Sequence, residues 1–265
     1  MSDPTPTIDG YVSDNLYPSM LHKCFQAPWM DAALAINGVA PPRYQADQFS
    51  LVDLGCGDGL GLILAAASHP QGQFIGMDAA PDHIARGQDI IDALGLSNIR
   101  LECSTFAEFS DDIEGSADYV TTNGVLAWVN SENRDHLLNL SARLLKSGGA
   151  FCVGYNAFPG WYDASPFLNL IRATAREKTG NSIERFNAAW DHLREMKIIG
   201  EGVWKWLEDL RERFTANYFS QEYLNDGSHP CWSGDVITQL GKLGLAYVGQ
   251  VSNGRLREDL CFKQV

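Results

Sequence analysis

Between residues 50 and 155, short apolar runs alternate with longer stretches in which apolar residues recur every three or four positions. Short apolar runs are typical of buried parallel strands, and the periodic stretches are typical of helices that cover a sheet. The predicted strands are Ser50–Leu54, Phe74–Asp78, Ile99–Cys103, Tyr119–Thr122 and Ala150–Tyr155. The predicted helices are Leu60–Ser68, Pro81–Leu94 and Ser131–Leu145, followed by a turn at Lys146–Gly149. This alternation predicts an α/β fold with a parallel sheet.

From residue 162 to residue 229 the pattern is helical. Ser165 before Pro166 predicts the start of a helix, Gly180 its end, and Asn181 the cap of a second helix. Two stripes with helical spacing follow, and we interpret them as core contacts. They are Ile183, Phe186, Trp190, Leu193 and Met196, then Trp204, Leu207, Leu210 and Phe214.

The end of the chain returns to mixed structure. A helix is predicted around Gly234–Leu243, a strand at Ala246–Val251, a turn at Asn253–Gly254 and a last strand near Leu260–Lys263. The chain therefore divides into four predicted parts. They are an N-terminal helical cap (1–46), an α/β core (47–161), a helical insertion serving as lid or substrate region (162–229), and a helix and hairpin that complete the core (230–265).

Composition excludes some classes of protein. With 45% hydrophobic and 20% charged residues, the chain has the composition of a globular protein. Twenty basic against 33 acidic residues give a net charge of −13, which disfavours nucleic acid and anionic membrane surfaces as partners. No apolar run approaches the ~18 residues that span a bilayer, and the N-terminus lacks the pattern of a secretory signal. We therefore expect a cytoplasmic protein.

The six cysteines are scattered and include no C-x-x-C pair. A chain of 265 residues can bury a core without disulfide bonds, so we interpret the cysteines as buried thiols. No histidine lies at the spacing of a zinc ligand, and the six histidines form no catalytic motif. The sequence predicts no metal site.

A glycine-rich segment, Gly55-Cys56-Gly57-Asp58-Gly59, follows the first predicted strand of the core. Glycines at this point allow a ligand to approach backbone N–H groups at a helix N-terminus. The dinucleotide pattern G-x-G-x-x-G fails, because Leu60 stands where its third glycine is required. Asp53 and Asp58 would also repel a pyrophosphate, so a ligand with a cationic end suits this loop better.

Asp78 ends the second predicted strand of the core, followed by Ala79. A carboxylate at this position can accept hydrogen bonds from both hydroxyls of a ribose. Together with the acidic glycine-rich loop, Asp78 indicates a nucleoside site.

With these residues, the chain resembles the class I S-adenosylmethionine-dependent methyltransferases, whose sheet is Rossmann-like. The stretch from Val52 to Gly59 is similar to the first motif of that superfamily. The resemblance implies that S-adenosyl-L-methionine is the cofactor, that Asp53 and the backbone of the glycine loop hold its methionine part, and that Asp78 with Ala79 holds its ribose. Where the family often has an aspartate near the adenine, this chain has Ser104, Thr105 and Phe106.

Nearly the whole chain also resembles bacterial methyltransferases with a methyltransferase regulatory segment, among them outer-membrane-protein lysine methyltransferases. The similar stretches are residues 119–129, 154–161 and 223–225, the last of them before His229-Pro230. Asn123 stands where that pattern commonly has a histidine, and it precedes Gly124. In this group a segment like Tyr17-Pro18 covers the cofactor.

The resemblance implies transfer of a methyl group to a protein lysine or another amine. Asn123, Tyr155 and Asn156 are the candidate catalytic residues, because they end strands at the edge of the sheet where open α/β folds bind ligands. Trp128 and Trp161 are candidate substrate contacts.

Three alternatives stay open at this point. The acceptor can be a small molecule methylated on nitrogen or oxygen, or the protein can bind the cofactor in a regulatory role without turnover. A nicotinamide-dependent dehydrogenase is disfavoured by the glycine spacing. The sequence leaves the oligomeric state undetermined.

Overall fold

A seven-stranded sheet forms the centre of the computed structural model. The structure describes residues 7–8, 10–42, 48–109, 113–251 and 258–264, the last range and Thr7 by their backbone alone. The strands are β1 (Thr7–Ile8), β2 (Tyr11–Val12), β3 (Ser50–Leu54), β4 (Gln73–Asp78), β5 (Ile99–Cys103), β6 (Ala117–Asn123), β7 (Leu145–Tyr155), β8 (Ala157–Phe158), β9 (Cys231–Trp232), β10 (Leu245–Gln250) and β11 (Glu258–Gln264).

The helices surround this sheet and form a separate group after β8. They are α1 (Ala27–Ile36), α2 (Leu60–Ser68), α3 (Pro81–Leu94), α4 (Val125–Trp128), α5 (Ser131–Leu144), α6 (Ser165–Arg176), α7 (Ser182–Met196), α8 (Glu201–Arg211), α9 (Ala216–Leu224) and α10 (Ser233–Lys242). A short 3-10 helix at Lys23–Phe25 precedes α1.

The large sheet has the strand order β10-β11-β7-β6-β3-β4-β5. The pairs from β7 through β6, β3 and β4 to β5 are parallel, whereas β11 runs antiparallel to both β7 and β10. From β3 the chain continues to β4 on one side and returns later to β6 on the other. Open α/β sheets bind ligands beyond the carboxyl ends of the strands at such a reversal.

The predicted α/β core is confirmed, with small shifts at the ends of elements. The bounds of β3, β5, α2 and α3 agree with the prediction residue for residue. The predicted turn at Lys146–Gly149 is wrong, because β7 already begins at Leu145, which pairs with Ala117. The register between β6 and β7 shifts after Ala117, and this irregularity accommodates the two glycines that the sequence analysis assigned to a turn.

Two apolar clusters cover the two faces of the sheet, and a third lies among α6, α7, α8 and α9. The third cluster is rich in aromatic side chains, and Trp204, Phe167 and Phe186 are fully buried in it. Asn181 caps α7 as predicted, and its side chain accepts from the Glu184 backbone N–H at 2.9 Å. Two members of the predicted stripe on α7 lie outside this cluster: Ile183 is half-buried, and Met196 at the end of the helix is 49% exposed.

Helix α9 was not predicted, because its aromatic residues have only modest helix propensity. The N-terminal region also differs from the predicted helical cap: β1 and β2 form an antiparallel pair before α1. At the other end of the chain, the predicted turn at Asn253–Gly254 lies outside the described residues. Within the described part of the chain, no helix combines the length and apolar character needed to cross a bilayer. The division into four parts remains a prediction.

Helix α3 packs closely on the glycine-rich loop through Gly87. A Cβ atom built on Gly87 would lie 2.4 Å from the backbone oxygen of Asp58 and 2.4 Å from a methyl carbon of Leu101. Because one of these atoms belongs to the backbone, neither a rotamer change nor a small side-chain movement can relieve the overlap. The absence of a side chain at Gly87 therefore sets the distance between α3 and the loop.

We expect Gly87→Ala to destabilise the protein by about 1–3 kcal/mol, the usual cost of overpacking a core. The matched control is Gly202→Ala on α8, where an added Cβ meets no atom within 4 Å and the change should stabilise by up to about 1 kcal/mol. Urea unfolding of both variants measures the two effects. Equal stability of the two variants would contradict the close packing of α3 on the loop.

Candidate functional site

A cavity lies at the carboxyl ends of β3, β4 and β6, where the strand order reverses. It encloses about 1500 Å³ of empty space, part of which is open to solvent. The glycine-rich loop after β3, the end of β4, the turn after β5 and the start of α4 form its walls. The segment from Ile8 to Gln26 contributes further lining residues, so the N-terminal region covers the cavity.

Asp78 is held in a fixed orientation at the tip of β4. Its Oδ2 accepts from the Gly57 backbone N–H at 2.8 Å, and its Oδ1 accepts from the Ala80 N–H at 2.9 Å. Gly57 has φ +58°, and an added Cβ would point into open space, so the loop backbone is exposed to the cavity there. The remaining lone pairs of the carboxylate can accept hydroxyl groups of a ligand.

Asp53 lies on β3 and is half-buried. Burial raises the pKa of Asp53 from 3.8 to about 6; the Thr121 hydroxyl, which donates to Oδ1 at 2.7 Å, opposes this shift, and the charge of Asp78 adds to it. Burial and the nearby carboxylates also raise the pKa of the Cys56 thiol well above its ordinary value. Cys56 is therefore a neutral thiol at pH 7 and lacks the thiolate that a nucleophile needs.

Asp58 is almost completely buried and connects the loop to the N-terminal segment. Its Oδ2 accepts a hydrogen bond from the Ser19 hydroxyl, and Arg86 Nε lies 3.5 Å from the same oxygen. Gln26 Nε2 donates to the Gly61 carbonyl at 3.1 Å, which adds a second bond between the covering segment and α2. These contacts hold the N-terminal segment against the glycine-rich loop and α2 at the edge of the cavity.

His83 is a site residue that the sequence analysis missed. It is only 4% exposed, lines the cavity, and accepts from the Tyr17 backbone N–H through Nε2 at 3.0 Å. Its Nδ1 lies 3.7 Å from Asp78 Oδ1. His83 is the third residue of α3 and follows Asp78 by five residues. This short separation from a predicted site residue is the sequence signal that could have identified it. The contact with Tyr17, 66 residues away, has no such signal.

Most of the predicted cofactor residues lie together around the cavity. Lining residues of this group are Tyr17, Asp53, Gly55, Cys56, Gly57, Asp58, Asp78, Ala79, Ser104, Thr105, Phe106, Asn123 and Gly124, together with the predicted substrate residue Trp128. Gly59 does not line the cavity. It has φ +69° as the N-terminal cap of α2 and packs against Leu101.

Three predicted catalytic or substrate residues also lie away from the cavity lining. Tyr155 is buried in the main apolar cluster, and the Asn156 carbonyl accepts from the Cys231 N–H at 2.9 Å. Trp161 packs against Trp206, with the ring centroids 5.9 Å apart. No residue of the predicted helical insertion lines the cavity in the described part of the chain. The insertion instead contacts the outer side of the covering segment, where Asn15 Nδ2 donates to the Ser182 hydroxyl at 2.7 Å.

The cavity fits an adenosine ligand with an amino-acid tail. It offers a carboxylate held by two backbone N–H groups, an exposed glycine backbone and a second, half-buried carboxylate, and both carboxylates can accept from hydroxyl or amino groups. Trp128 Nε1 is buried and has no hydrogen-bond partner within the described residues, so a bound molecule can supply the missing acceptor. Among the same residues, no group of three or more His, Cys, Asp or Glu side chains is arranged to hold a metal ion.

Comparison with known proteins identifies the family. A family model described as a methyltransferase domain matches residues 46–209, which is more than half of the chain. A Synechocystis protein is 26% identical over 248 residues, covering 91% of this chain and 49% of its own length. A Rickettsia prowazekii protein is 28% identical over 202 residues, covering 76% of this chain and 75% of its own length.

The fold is similar to that of PKMT2 from Rickettsia typhi, which was solved in complex with AdoHcy. The TM-score is 0.75 at 18% identity, and the match covers 94% of this chain but only 55% of PKMT2. The chain thus spans about half the length of two of the proteins it matches. The matched domain and the strand order together show that the chain belongs to the class I S-adenosylmethionine-dependent methyltransferases.

Proposed function

We propose that this chain transfers the methyl group of S-adenosylmethionine to an amine nitrogen, and that the side chain of a protein lysine is the acceptor. The observation that carries the proposal is the charge of the cavity. Asp53, Asp58 and Asp78 line it, whereas no lysine or arginine lines it among the described residues. A cofactor with a cationic amino group and a cationic sulfur suits such a cavity, and so does an amine acceptor. The resemblance to lysine methyltransferases supports the choice of acceptor.

Each part of the cofactor has a candidate partner. We assign its amino group to Asp53, its ribose hydroxyls to Asp78, and its carboxylate to the backbone N–H groups around Gly57. The turn at residues 104–106 follows β5 and can contact the adenine through backbone groups and the ring of Phe106. AdoHcy, S-adenosylhomocysteine, is the product that remains after methyl transfer, and its presence in PKMT2 supports the choice of cofactor.

When bound, S-adenosylmethionine supplies an electrophilic methyl group, which the amine nitrogen takes in line as the carbon–sulfur bond breaks and sulfur keeps the electron pair. The protein contributes mainly by positioning, which can supply about 7–11 kcal/mol of the barrier. A lysine with a pKa near 10.4 must first lose its proton, at a cost of roughly 4.6 kcal/mol at pH 7. We assign the orientation of the acceptor to residues at this edge of the sheet, with Asn123 and Trp128 as the predicted residues that line the cavity.

The first test is a labelling experiment. Purified protein is incubated with methyl-labelled S-adenosylmethionine and a size-fractionated bacterial lysate. We expect base-resistant label in the protein fraction, because methyl–nitrogen bonds on lysine survive base whereas methyl esters do not. Mass spectrometry of the labelled proteins then identifies the modified side chains.

Other distributions of label would contradict the proposal in different ways. Label confined to small metabolites would favour a small-molecule N- or O-methyltransferase. Tight binding of S-adenosylhomocysteine with no labelled product in any fraction would favour a regulatory protein without turnover.

We expect Asp78→Asn to weaken the binding of S-adenosylhomocysteine by about 10- to 100-fold, because hydrogen bonds to a charged group contribute about 1.5–3 kcal/mol. The matched control is Asp82→Asn. Asp82 is exposed in the first turn of α3, four residues away, and does not line the cavity. Isothermal titration calorimetry measures both affinities, and thermal unfolding verifies that both variants fold. Unchanged binding by Asp78→Asn would remove the ribose assignment.

The raised pKa of Asp53 predicts a pH dependence of cofactor binding. An ionised carboxylate binds the amino group, and with a pKa of about 6 most of Asp53 is protonated at pH 5. We expect the affinity for S-adenosylhomocysteine to fall about 10-fold from pH 7 to pH 5. The cavity also contains Asp58, Asp78, His22 and His83, so the same titration of Asp53→Asn isolates the share of Asp53. An equally steep pH dependence in Asp53→Asn would contradict the assignment.

A further inference from the structure

Three aromatic side chains from distant parts of the chain meet in the cavity. Tyr11 and Tyr17 belong to the covering segment, and Trp128 is the last residue of α4. The rings of Tyr17 and Trp128 have centroids 5.2 Å apart, and those of Tyr11 and Trp128 are stacked at 6.3 Å. We call these three side chains the aromatic wall. The face of an aromatic ring carries the negative electrostatic potential that attracts cations.

Helix α9 fixes the two tyrosines of the aromatic wall through their hydroxyl groups. The Tyr17 hydroxyl donates to Glu222 Oε1 at 3.0 Å, and the Tyr11 hydroxyl donates to Gln221 Oε1 at 2.6 Å. Glu222 is 8% exposed, so its carboxylate lies in a region of low dielectric directly behind the wall. Burial, reinforced by nearby negative charge that includes Glu222, raises the pKa values of both tyrosines well above the ordinary value of 10.0. Both are therefore neutral donors at pH 7.

Two further features distinguish the wall from ordinary core packing. Trp128 is buried, and its Nε1 has no hydrogen-bond partner among the described residues. Trp204 Nε1 shares this property inside the aromatic core, but only Trp128 lines the cavity, so a ligand there can accept from it. The carboxylates of Asp53 and Asp78 also line the same cavity. A wall of aromatic faces with carboxylates behind it and beside it is complementary to an organic cation.

We propose that Tyr11, Tyr17 and Trp128, backed by Glu222, form the subsite that receives the methyl acceptor as an alkylammonium group. This inference rests on the proposed function and deepens it, because it specifies the charge of the acceptor and the side chains that select it. The subsite binds the cationic substrate and equally the methylated ammonium product. Before transfer the bound ammonium group releases one proton to water, and the positive charge of the sulfonium then passes to the nitrogen together with the methyl group. The subsite therefore holds a cation again in the methylated product.

The test compares two ligands that differ only in the charge at one end. Both are S-adenosylmethionine analogues in which a nitrogen replaces the sulfur and carries a four-carbon chain. The chain ends in an ammonium group in one analogue and in a hydroxyl group in the other. Isothermal titration calorimetry on the full chain gives the ratio of their affinities without any need for turnover.

We expect the wild-type protein to bind the ammonium analogue at least 10-fold more tightly than the hydroxyl analogue. In Glu222→Gln this preference should fall below about 3-fold, while the affinity for S-adenosylhomocysteine stays within 2-fold. Tyr17→Phe keeps the ring but removes the bond to Glu222, so we expect an intermediate preference. The control is Asp226→Asn, four residues further along, where the exposed carboxylate pairs with Arg176 at 2.7 Å. This variant should keep the full preference.

The outcomes separate the subsite from the proposed function. Equal binding of the two analogues by a wild-type protein that binds S-adenosylhomocysteine would overturn the subsite and leave the methyltransferase in place. A selective loss of S-adenosylmethionine over S-adenosylhomocysteine in Glu222→Gln would also overturn it, because the wall would then serve the sulfonium of the cofactor. A retained preference in a protein that labels nothing would support the subsite and contradict the proposed function.

Discussion

The site depends on keeping three carboxylates close together in a partly buried cavity. Burial and mutual repulsion both favour protonation of such groups, and the raised pKa of Asp53 shows that this cost is only partly offset. Each carboxylate has its own donors: the Thr121 hydroxyl for Asp53, Ser19 and Arg86 for Asp58, and two backbone N–H groups for Asp78. These donors come from different strands, loops and helices. The arrangement of those elements around the cavity therefore stabilises the negative charge of the three carboxylates.

The consequences extend into the packing of the whole molecule. Asp78 can accept from the Gly57 N–H only if the loop turns back toward β4, which the positive φ of Gly57 permits. Asp58 can receive Ser19 only if the N-terminal segment crosses the cavity, and His83 and Glu222 hold Tyr17 in that crossing. The helices after β8 therefore contribute to the site indirectly. They form an aromatic core of their own, and this core supports α9, which in turn fixes the covering segment.

Features that depend on residues close together in the sequence could be predicted, whereas features that depend on contacts between distant residues could not. The glycine loop and Asp78 were predictable, because a positive φ and a carboxylate at a strand end are local requirements with local sequence signals. The strands and helices of the core were predictable for the same reason, through their periodicity. The roles of Tyr11 and Glu222 were not, because the hydrogen bonds of Tyr11 with Gln221 and of Tyr17 with Glu222 each span more than 200 residues. Tyr155 was expected beside the ligand, but strand geometry turns alternate side chains to opposite faces, and its side chain lies in the apolar core.

The selection of a cationic ligand depends on charges close to the binding site and not on the net charge of the chain. The net charge of −13 is spread over the surface, where salt screens charges beyond about 8 Å, so it attracts basic molecules without distinguishing among them. Charges inside a cavity act at short range and through less water, so a few of them outweigh the many outside. Glu222 illustrates the difference: it is one of 33 acidic residues, but it is buried behind rings that line the cavity. In the proposed subsite, specificity for an ammonium group depends on where one carboxylate is buried, so two chains of equal net charge can differ in it completely.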